Sequence, residues 1–129
     1  MSKLISDLIN EFQTIDEIQD DFELFIMSIK IDESGEYDSS ESILPVNRIE
    51  IDSENEECLF YFGTHDSDAI TVATTADKIK TITPNFLLCS AEEKTVEDKT
   101  LRLDNPIIGF GENVEQKRFF LVFQTYELH

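Results

Sequence analysis

The stretch KRFFLVFQTYEL, residues 117–128, has the clearest strand pattern in the chain. Phe119, Leu121 and Phe123 alternate with a second series of side chains that begins at Phe120. A period of two residues is typical of a β-strand, because successive side chains point to opposite faces of a sheet. We therefore predict a strand here, with much of it in the protein core.

Four upstream segments are also predicted to be strands, and the period of two is clearest in the first. They are residues 22–31, 43–51, 58–63 and 69–75. The third of these segments is apolar on both faces, which predicts a central strand. Pro45 has no backbone N–H to donate, so it predicts either an edge position for the second segment or a start near Val46.

The region that follows has a weaker pattern. Residues 76–82 predict a short helical turn that ends before Pro84, because proline disfavours helix in the residue before it. Residues 86–89 are apolar and begin a predicted fifth strand, whereas residues 91–98 are polar and predict a connection.

Two short segments come before the last strand. Residues 100–103 and 107–110 flank Asp104-Asn105-Pro106, a turn signal that predicts either a hairpin or a bend. Gly109 and Gly111 form a GxG pattern without the third glycine of a nucleotide-binding loop, so we predict a bend or a bulge at this position.

The N-terminal part of the chain has helical spacing instead. Apolar residues recur every three or four positions from residue 3 to residue 20. Thr14 and Glu17 fit a capping box, so the predicted helix breaks and restarts near Gln13. An apolar stripe of this kind predicts that the helix covers a sheet.

These elements predict one α+β domain over residues 1–129. One helix followed by strands at hairpin spacing favours an antiparallel sheet over alternating βαβ units. We expect the amphipathic helix to pack on a curved, mainly antiparallel sheet of about six or seven strands. A half-open β-barrel is the alternative, and we find no internal repeat in the sequence.

The charge of the chain is strongly negative and unevenly distributed. The sequence has 10 Lys and Arg against 28 Asp and Glu, for a net charge of −18. Residues 1–77 hold 20 of the acids and 3 of the bases, whereas residues 78–129 hold 8 acids and 7 bases. This balance argues against direct nucleic-acid binding, which needs clustered cations, and against docking on anionic membranes.

Two acid-rich segments, residues 32–41 and 52–57, lie between apolar runs and are predicted to be exposed loops or loop-to-strand transitions. Carboxylates two positions apart on an extended chain stand about 6.6 Å apart, so the second segment is expected to present a regular row of charge. Tyr37 lies inside the first segment and is the predicted aromatic anchor for a partner. The predicted partner-binding residues are Asp32, Glu33, Glu36, Tyr37, Asp38, Glu41, Asp52, Glu54, Glu56 and Glu57.

The sequence offers little support for catalysis, a metal or a cofactor, and we predict none of them. Cys58, His65, Cys89 and His129 lack the closely spaced pairs of a zinc site. Residues 32–43 lack the glycine and glutamate positions of an EF-hand loop. Both cysteines lie in apolar runs, which predicts buried, reduced thiols in a cytoplasmic protein, and the N-terminal region lacks the apolar core of a signal peptide.

In size and charge the chain is similar to bacterial immunity proteins, antitoxin-like inhibitors and phage-encoded nucleic-acid mimics, a similarity of type that involves no motif. It implies a small acidic binding protein that covers a cationic surface of a basic protein, such as a nuclease toxin. One alternative is a phage-type inhibitor that mimics nucleic acid against a DNA- or RNA-processing enzyme. Another is a ligand-binding protein or enzyme with a pocket in the curved sheet.

Overall fold

The computed structural model describes residues 2–14, 21–31, 37–38, 43–62 and 68–126. These residues form two helices and seven strands. In chain order they are α1 (Ile5–Thr14), β1 (Glu23–Ile31), β2 (Tyr37–Asp38), β3 (Ile43–Asp52), β4 (Glu57–Phe62), α2 (Val72–Ile79), β5 (Leu87–Val96), β6 (Lys99–Asn113) and β7 (Arg118–Tyr126).

Six of these strands close into a barrel in the order β1-β3-β4-β5-β6-β7, because β7 also pairs with β1. The β1–β7 and β4–β5 pairs are parallel, and the other four pairs of the barrel are antiparallel. β2 extends the sheet beside the end of β1. The barrel alternative therefore fits, although the barrel is closed and the fold is mainly β. The expected helix on an open sheet is matched only in part.

The barrel consists of two halves with the same order of elements. α1, β1, β3 and β4 form the first half, and α2, β5, β6 and β7 form the second. In the first half β1 pairs with β3 and β3 with β4, and in the second half β5 pairs with β6 and β6 with β7. The last strand of each half pairs in parallel with the first strand of the other half, as β4 does with β5 and β7 with β1. The structure therefore contains an internal repeat that we did not find in the sequence.

The registers and hydrogen bonds of the two halves are also equivalent. Phe25 pairs with Pro45 in the first half as Cys89 pairs with Pro106 in the second. Backbone bonds between the halves recur at corresponding positions. The bond from Leu24 N to Ile70 O (2.8 Å) corresponds to that from Leu88 N to Lys3 O (2.9 Å). Likewise, the bond from Glu23 N to Lys117 O corresponds to that from Leu87 N to Glu56 O (both 2.9 Å).

Two four-residue turns, residues 53–56 and 114–117, lie at the same end of the barrel, which we call the turn end. β5 begins beside the first turn, where Leu87 N donates to Glu56 O. β6 runs antiparallel to β5, so the turn that follows β6 lies at that end too. The β5–β6 turn lies at the opposite end, which we call the hairpin end.

Apolar side chains from all six barrel strands and both helices form one core. The largest fully buried members include Phe60 and Phe119. Both helices lie at the turn end. The rings of Phe12 on α1 and Phe119, near the start of β7, are arranged edge to face with centroids 5.1 Å apart, and Thr71 before α2 bridges to Glu23 at the start of β1. α1 ends at Thr14, close to the predicted break. Residues 15–20, over which a continuation was expected, lie outside the described residues.

Pro45 and Pro106 occupy equivalent bends in β3 and β6. Each proline pairs with the preceding strand, and the next residue pairs with the following strand. The register then shifts, between Val46 and Arg48 in β3 and between Ile107 and Gly109 in β6. Proline is tolerated there because a strand that changes partners does not need every ladder hydrogen bond.

The predicted strand over residues 69–75 is wrong, because most of this segment belongs to α2. Thr71 caps the helix by accepting from Thr74 N at 3.2 Å. Val72, Thr75 and Ile79 are buried on one face. The threonine and valine content favours a strand, but the three- and four-residue spacing of the buried side chains and the cap decide for a helix.

The predicted polar connection over residues 91–98 is also wrong, since β5 continues to Val96 and a two-residue turn leads into β6. Both turn residues have positive φ, 51° at Glu97 and 65° at Asp98. β6 then runs through Asp104-Asn105-Pro106, so the expected hairpin or turn at that position is replaced by the change of strand partner.

Candidate binding surface

The second acid-rich segment forms the β3–β4 turn at the turn end. Asn55 N donates to Asp52 Oδ1 at 3.1 Å, and Asn55 Nδ2 donates to Asp52 Oδ2 at 2.8 Å. Glu56 has a φ of 55°, which turns the chain back into β4. Glu54 and Glu56 are exposed, and neither forms an ion pair with another described residue. The turn therefore holds these two carboxylates in solvent on a fixed backbone.

The expected row of evenly spaced carboxylates is not formed. Residues 53–56 are a turn, so the 6.6 Å repeat of an extended chain does not apply to them. Asp52 and Glu57 instead pair across the base of the turn. The segment thus presents a compact group of acids instead of a line.

Hydrogen bonds and an ion pair hold the carboxylate of Asp52. The hydrogen bonds from the Asn55 side chain and then from its backbone N–H lower the pKa of Asp52, and the charge of Arg102 adds to the effect. Arg102 also forms an ion pair with Asp52 at 3.7 Å. Asp52 therefore serves mainly to fix the turn and is less available to a partner than Glu54 or Glu56.

Two arginines lie on the outer face of β3–β6, over a small second cluster of buried side chains. The guanidinium of Arg48 lies 4.0 Å from the ring centroid of Tyr61 and pairs with Glu93 and with Glu50. Arg102 pairs with Asp104 at 3.0 Å. Both arginines are thus engaged within the molecule. The cluster beneath them consists of Leu59, Tyr61, Cys89 and Ala91.

The cysteines are buried and unpaired, as predicted. Burial raises the pKa of the Cys58 thiol to about 12. Burial is also the largest cause of the raised pKa of Cys89. The second cause is a hydrogen bond in which Cys89 Sγ donates to the Glu57 carboxylate at 3.2 Å. Neither thiol has the lowered pKa that a cysteine nucleophile requires.

The first acid-rich segment is attached to the hairpin end. Tyr37 and Asp38 form β2, and Ile31 at the end of β1 pairs with Tyr37. β1 spans nine residues, so these two lie about 26 Å along the strand from its start at the turn end. The structure therefore separates Tyr37 and Asp38 from the β3–β4 turn. Asp32, Glu33, Glu36 and Glu41 lie outside the described residues.

Carboxylates outnumber cations at the turn end. The cations on its helices and turns are Lys78, Lys80 and Lys117, of which Lys80 pairs with Asp77 and Lys117 with Asp21. The carboxylates on the same helices and turns are Asp7, Glu11, Glu54, Glu56, Asp77 and Glu115. The described part of this end is therefore anionic.

The sequence analysis missed a groove at the centre of the turn end. It lies between α1 and α2, has a volume of about 240 Å³ and is lined mainly by apolar side chains. Six of the seven lining residues form equivalent pairs of the two halves, Ile9 with Ala76, Phe12 with Ile79 and Gln13 with Lys80, and Asp77 is the seventh. An alignment of the α1 and α2 patterns would have paired these positions.

No group of three or more histidine, cysteine or acidic side chains within the described residues is placed to hold a metal ion. His65 and His129 fall outside those residues. None of the described helices is both long and apolar enough to cross a membrane.

Comparison with known proteins gives no relative of this chain: no family model, curated protein or solved structure matches it.

Proposed function

We propose that the protein is a small acidic binding protein that covers a cationic surface of a basic protein, as an inhibitor of the immunity or antitoxin type. The observation that carries the proposal is the exposed carboxylate pair of Glu54 and Glu56. It lies at an end of the barrel where described acids outnumber cations. A net charge of −18 extends this field over the whole molecule.

Electrostatic complementarity of this kind acts mainly on the rate of association. Exposed carboxylates attract a cationic partner from a distance and orient it, and salt screens this attraction. A turn fixed by the Asp52–Asn55 hydrogen bonds presents the charges without a large loss of loop freedom on binding. We therefore expect binding that is fast at low salt and weakens steeply as salt is added.

The barrel interior is filled by core side chains, such as Leu24, Phe60 and Leu121. This packing disfavours the alternative of a ligand pocket inside the sheet. The nucleic-acid-mimic alternative differs from the proposal in the partner alone. DNA or RNA would displace the protein from a nucleic-acid-processing enzyme, whereas a toxin whose contact surface excludes nucleic acid would stay bound.

The test is capture from an extract of the native host on the immobilised full chain, with elution by a salt gradient. Binding kinetics of the recovered protein are then measured at several salt concentrations. Glu56→Lys and Glu97→Lys form a matched pair, because both change an exposed turn glutamate with positive φ but at opposite ends of the barrel. Lys117, at the position equivalent to Glu56, has the same φ of 55°.

We expect Glu56→Lys to slow association by roughly ten-fold at low salt, and Glu97→Lys to change it by less than about two-fold. A recovered partner that binds equally well at low and high salt would contradict the proposed function. Equal effects of the two substitutions would contradict the assignment of the contact to the turn end.

A further inference from the structure

The groove between α1 and α2 is lined by side chains that differ in size between the two halves of the barrel. Ile9 on α1 and Ala76 on α2 are equivalent residues that face the same groove. The smaller side chain of Ala76 leaves space that an isoleucine would occupy. The apolar walls are completed by Phe12 and Ile79. An apolar hollow is thus open at the point where the two halves meet.

The charge of the turn end indicates which kind of partner the groove binds. The turn end carries an excess of carboxylates, including Glu11, Glu54 and Glu56, and the Asp77–Lys80 ion pair stands beside the groove itself. Because this ion pair leaves the lining of the groove without net charge, it is the anionic turn end around the groove that attracts a cationic chain. A second copy of this protein, which also carries a charge of −18, is repelled by this end.

We propose that this groove is the apolar anchor site for the basic partner, and that it receives a leucine-like or phenylalanine-like side chain flanked by lysine or arginine. The inference rests on the proposed function and names the contact that it needs. An apolar centre with a polar rim is the usual layout of a specific interface. The charge of the turn end sets the association rate, and the buried side chain sets the lifetime of the complex.

An exposed apolar surface at the hairpin end does not have this layout. Val96, Leu101 and Leu103 are 54%, 50% and 46% exposed on one face of the β5–β6 hairpin, at the hairpin end. Lys99 stands on the same face, and the opposite face is tied to the barrel through Glu93 and Arg102. This face serves as the competing location in the test.

The experiment uses the full chain labelled with ¹⁵N and two short lysine peptides, one with a central leucine and one with a serine in its place. We expect the leucine peptide to shift the amides of Phe12, Gln13, Ala76 and Lys80. We expect the serine peptide to bind more weakly and to leave these amides in place. Indole is added in a separate titration as a neutral apolar probe.

Ala76→Ile fills the groove with the side chain found at the equivalent position, and it adds to the packing instead of removing a core contact. We expect it to weaken the leucine peptide by about ten-fold or more, while the serine peptide is unaffected. Ala73→Ile, on the same helix but outside the groove, is the matched control and should change neither affinity. Lys80→Gln removes a rim cation and should strengthen both peptides.

Several results would overturn the inference. The first is that the peptides shift amides centred on residues 96–103. The second is that the leucine and serine peptides bind with equal affinity. The third is that Ala76→Ile has no effect on peptide binding although its spectrum and Tm show that it is folded. If indole binds the groove more tightly than the leucine peptide does, the groove is a site for a small ligand. Shifts that depend on protein concentration alone would assign it to self-association. The proposed function survives all of these results if the recovered partner remains salt-sensitive, and it fails separately if that sensitivity is absent.

Discussion

The turn between β5 and β6 gives a stability prediction that tests a part of the fold missed by the sequence analysis. Glu97 and Asp98 both have positive φ, as in a type I′ hairpin turn, for which Asn-Gly is the favoured pair. A residue with a side chain pays about 1–2 kcal/mol in the left-handed region, whereas glycine adopts it freely but loses about 0.5–1 kcal/mol of additional backbone entropy on folding. The double change Glu97→Asn/Asp98→Gly should therefore increase the free energy of unfolding by about 1 kcal/mol.

The assay is urea unfolding followed by circular dichroism, with a thermal melt of the same samples. We expect a higher midpoint with an unchanged slope, and a Tm about 4 °C higher. Because the change also removes two negative charges, Glu112→Gln/Glu115→Gln is the control. A gain equal to that of the control would show a pure charge effect. A loss of stability would show that the turn does not have the left-handed backbone on which the calculation depends.

Four further outcomes follow from single contacts. Phe119→Ala removes a fully buried ring and should lower the free energy of unfolding by about 3–5 kcal/mol, measured by urea titration. Thr71→Ala removes the α2 cap and should lower it by about 1 kcal/mol in the same assay. Because Cys58 and Cys89 are buried and burial raises the pKa of both thiols, Ellman's reagent should react with them only at the rate of unfolding. The pKa of Asp52 is lowered from its ordinary value of 3.8, so its stabilising contribution is complete above that pH and is lost as the pH falls through the folded-state pKa; an NMR titration that gives an ordinary pKa would contradict this.

Strands whose side chains follow a single pattern along their whole length were predictable from the sequence. β1, β3, β4 and β7 all fall within about two residues of their predicted positions, because the apolar residues of each strand form a local pattern in the sequence. The central position of β4 followed from its two apolar faces, and in the structure its side chains reach both the main core and the small cluster around Tyr61. The buried thiols followed from the same apolar runs.

The remaining elements depend on information that composition does not carry. The polar side chains of β5 from Glu92 onward extend beyond the strand's pairing with β4, so they need no apolar partner and resemble a loop in sequence. The closure of β7 onto β1 is a parallel contact between distant parts of the chain and leaves no local signal. The groove also escaped prediction, because it requires α1 and α2 to meet at one end of the barrel.

The repeated architecture separates the side chains that build the fold from those that are candidates for binding. Equivalent positions that share a structural task keep a similar chemistry: Pro45 and Pro106 both stand at a strand bend. Other equivalent pairs have the same backbone but opposite chemistry, as with Glu56 and Lys117, which share a φ of 55°. Since the fold accepts either side chain at such a position, the fold does not require the negative charge of Glu56. Ala76, where the other half has Ile9, fits the same reasoning, and both differences lie at the turn end, where the binding surface is proposed.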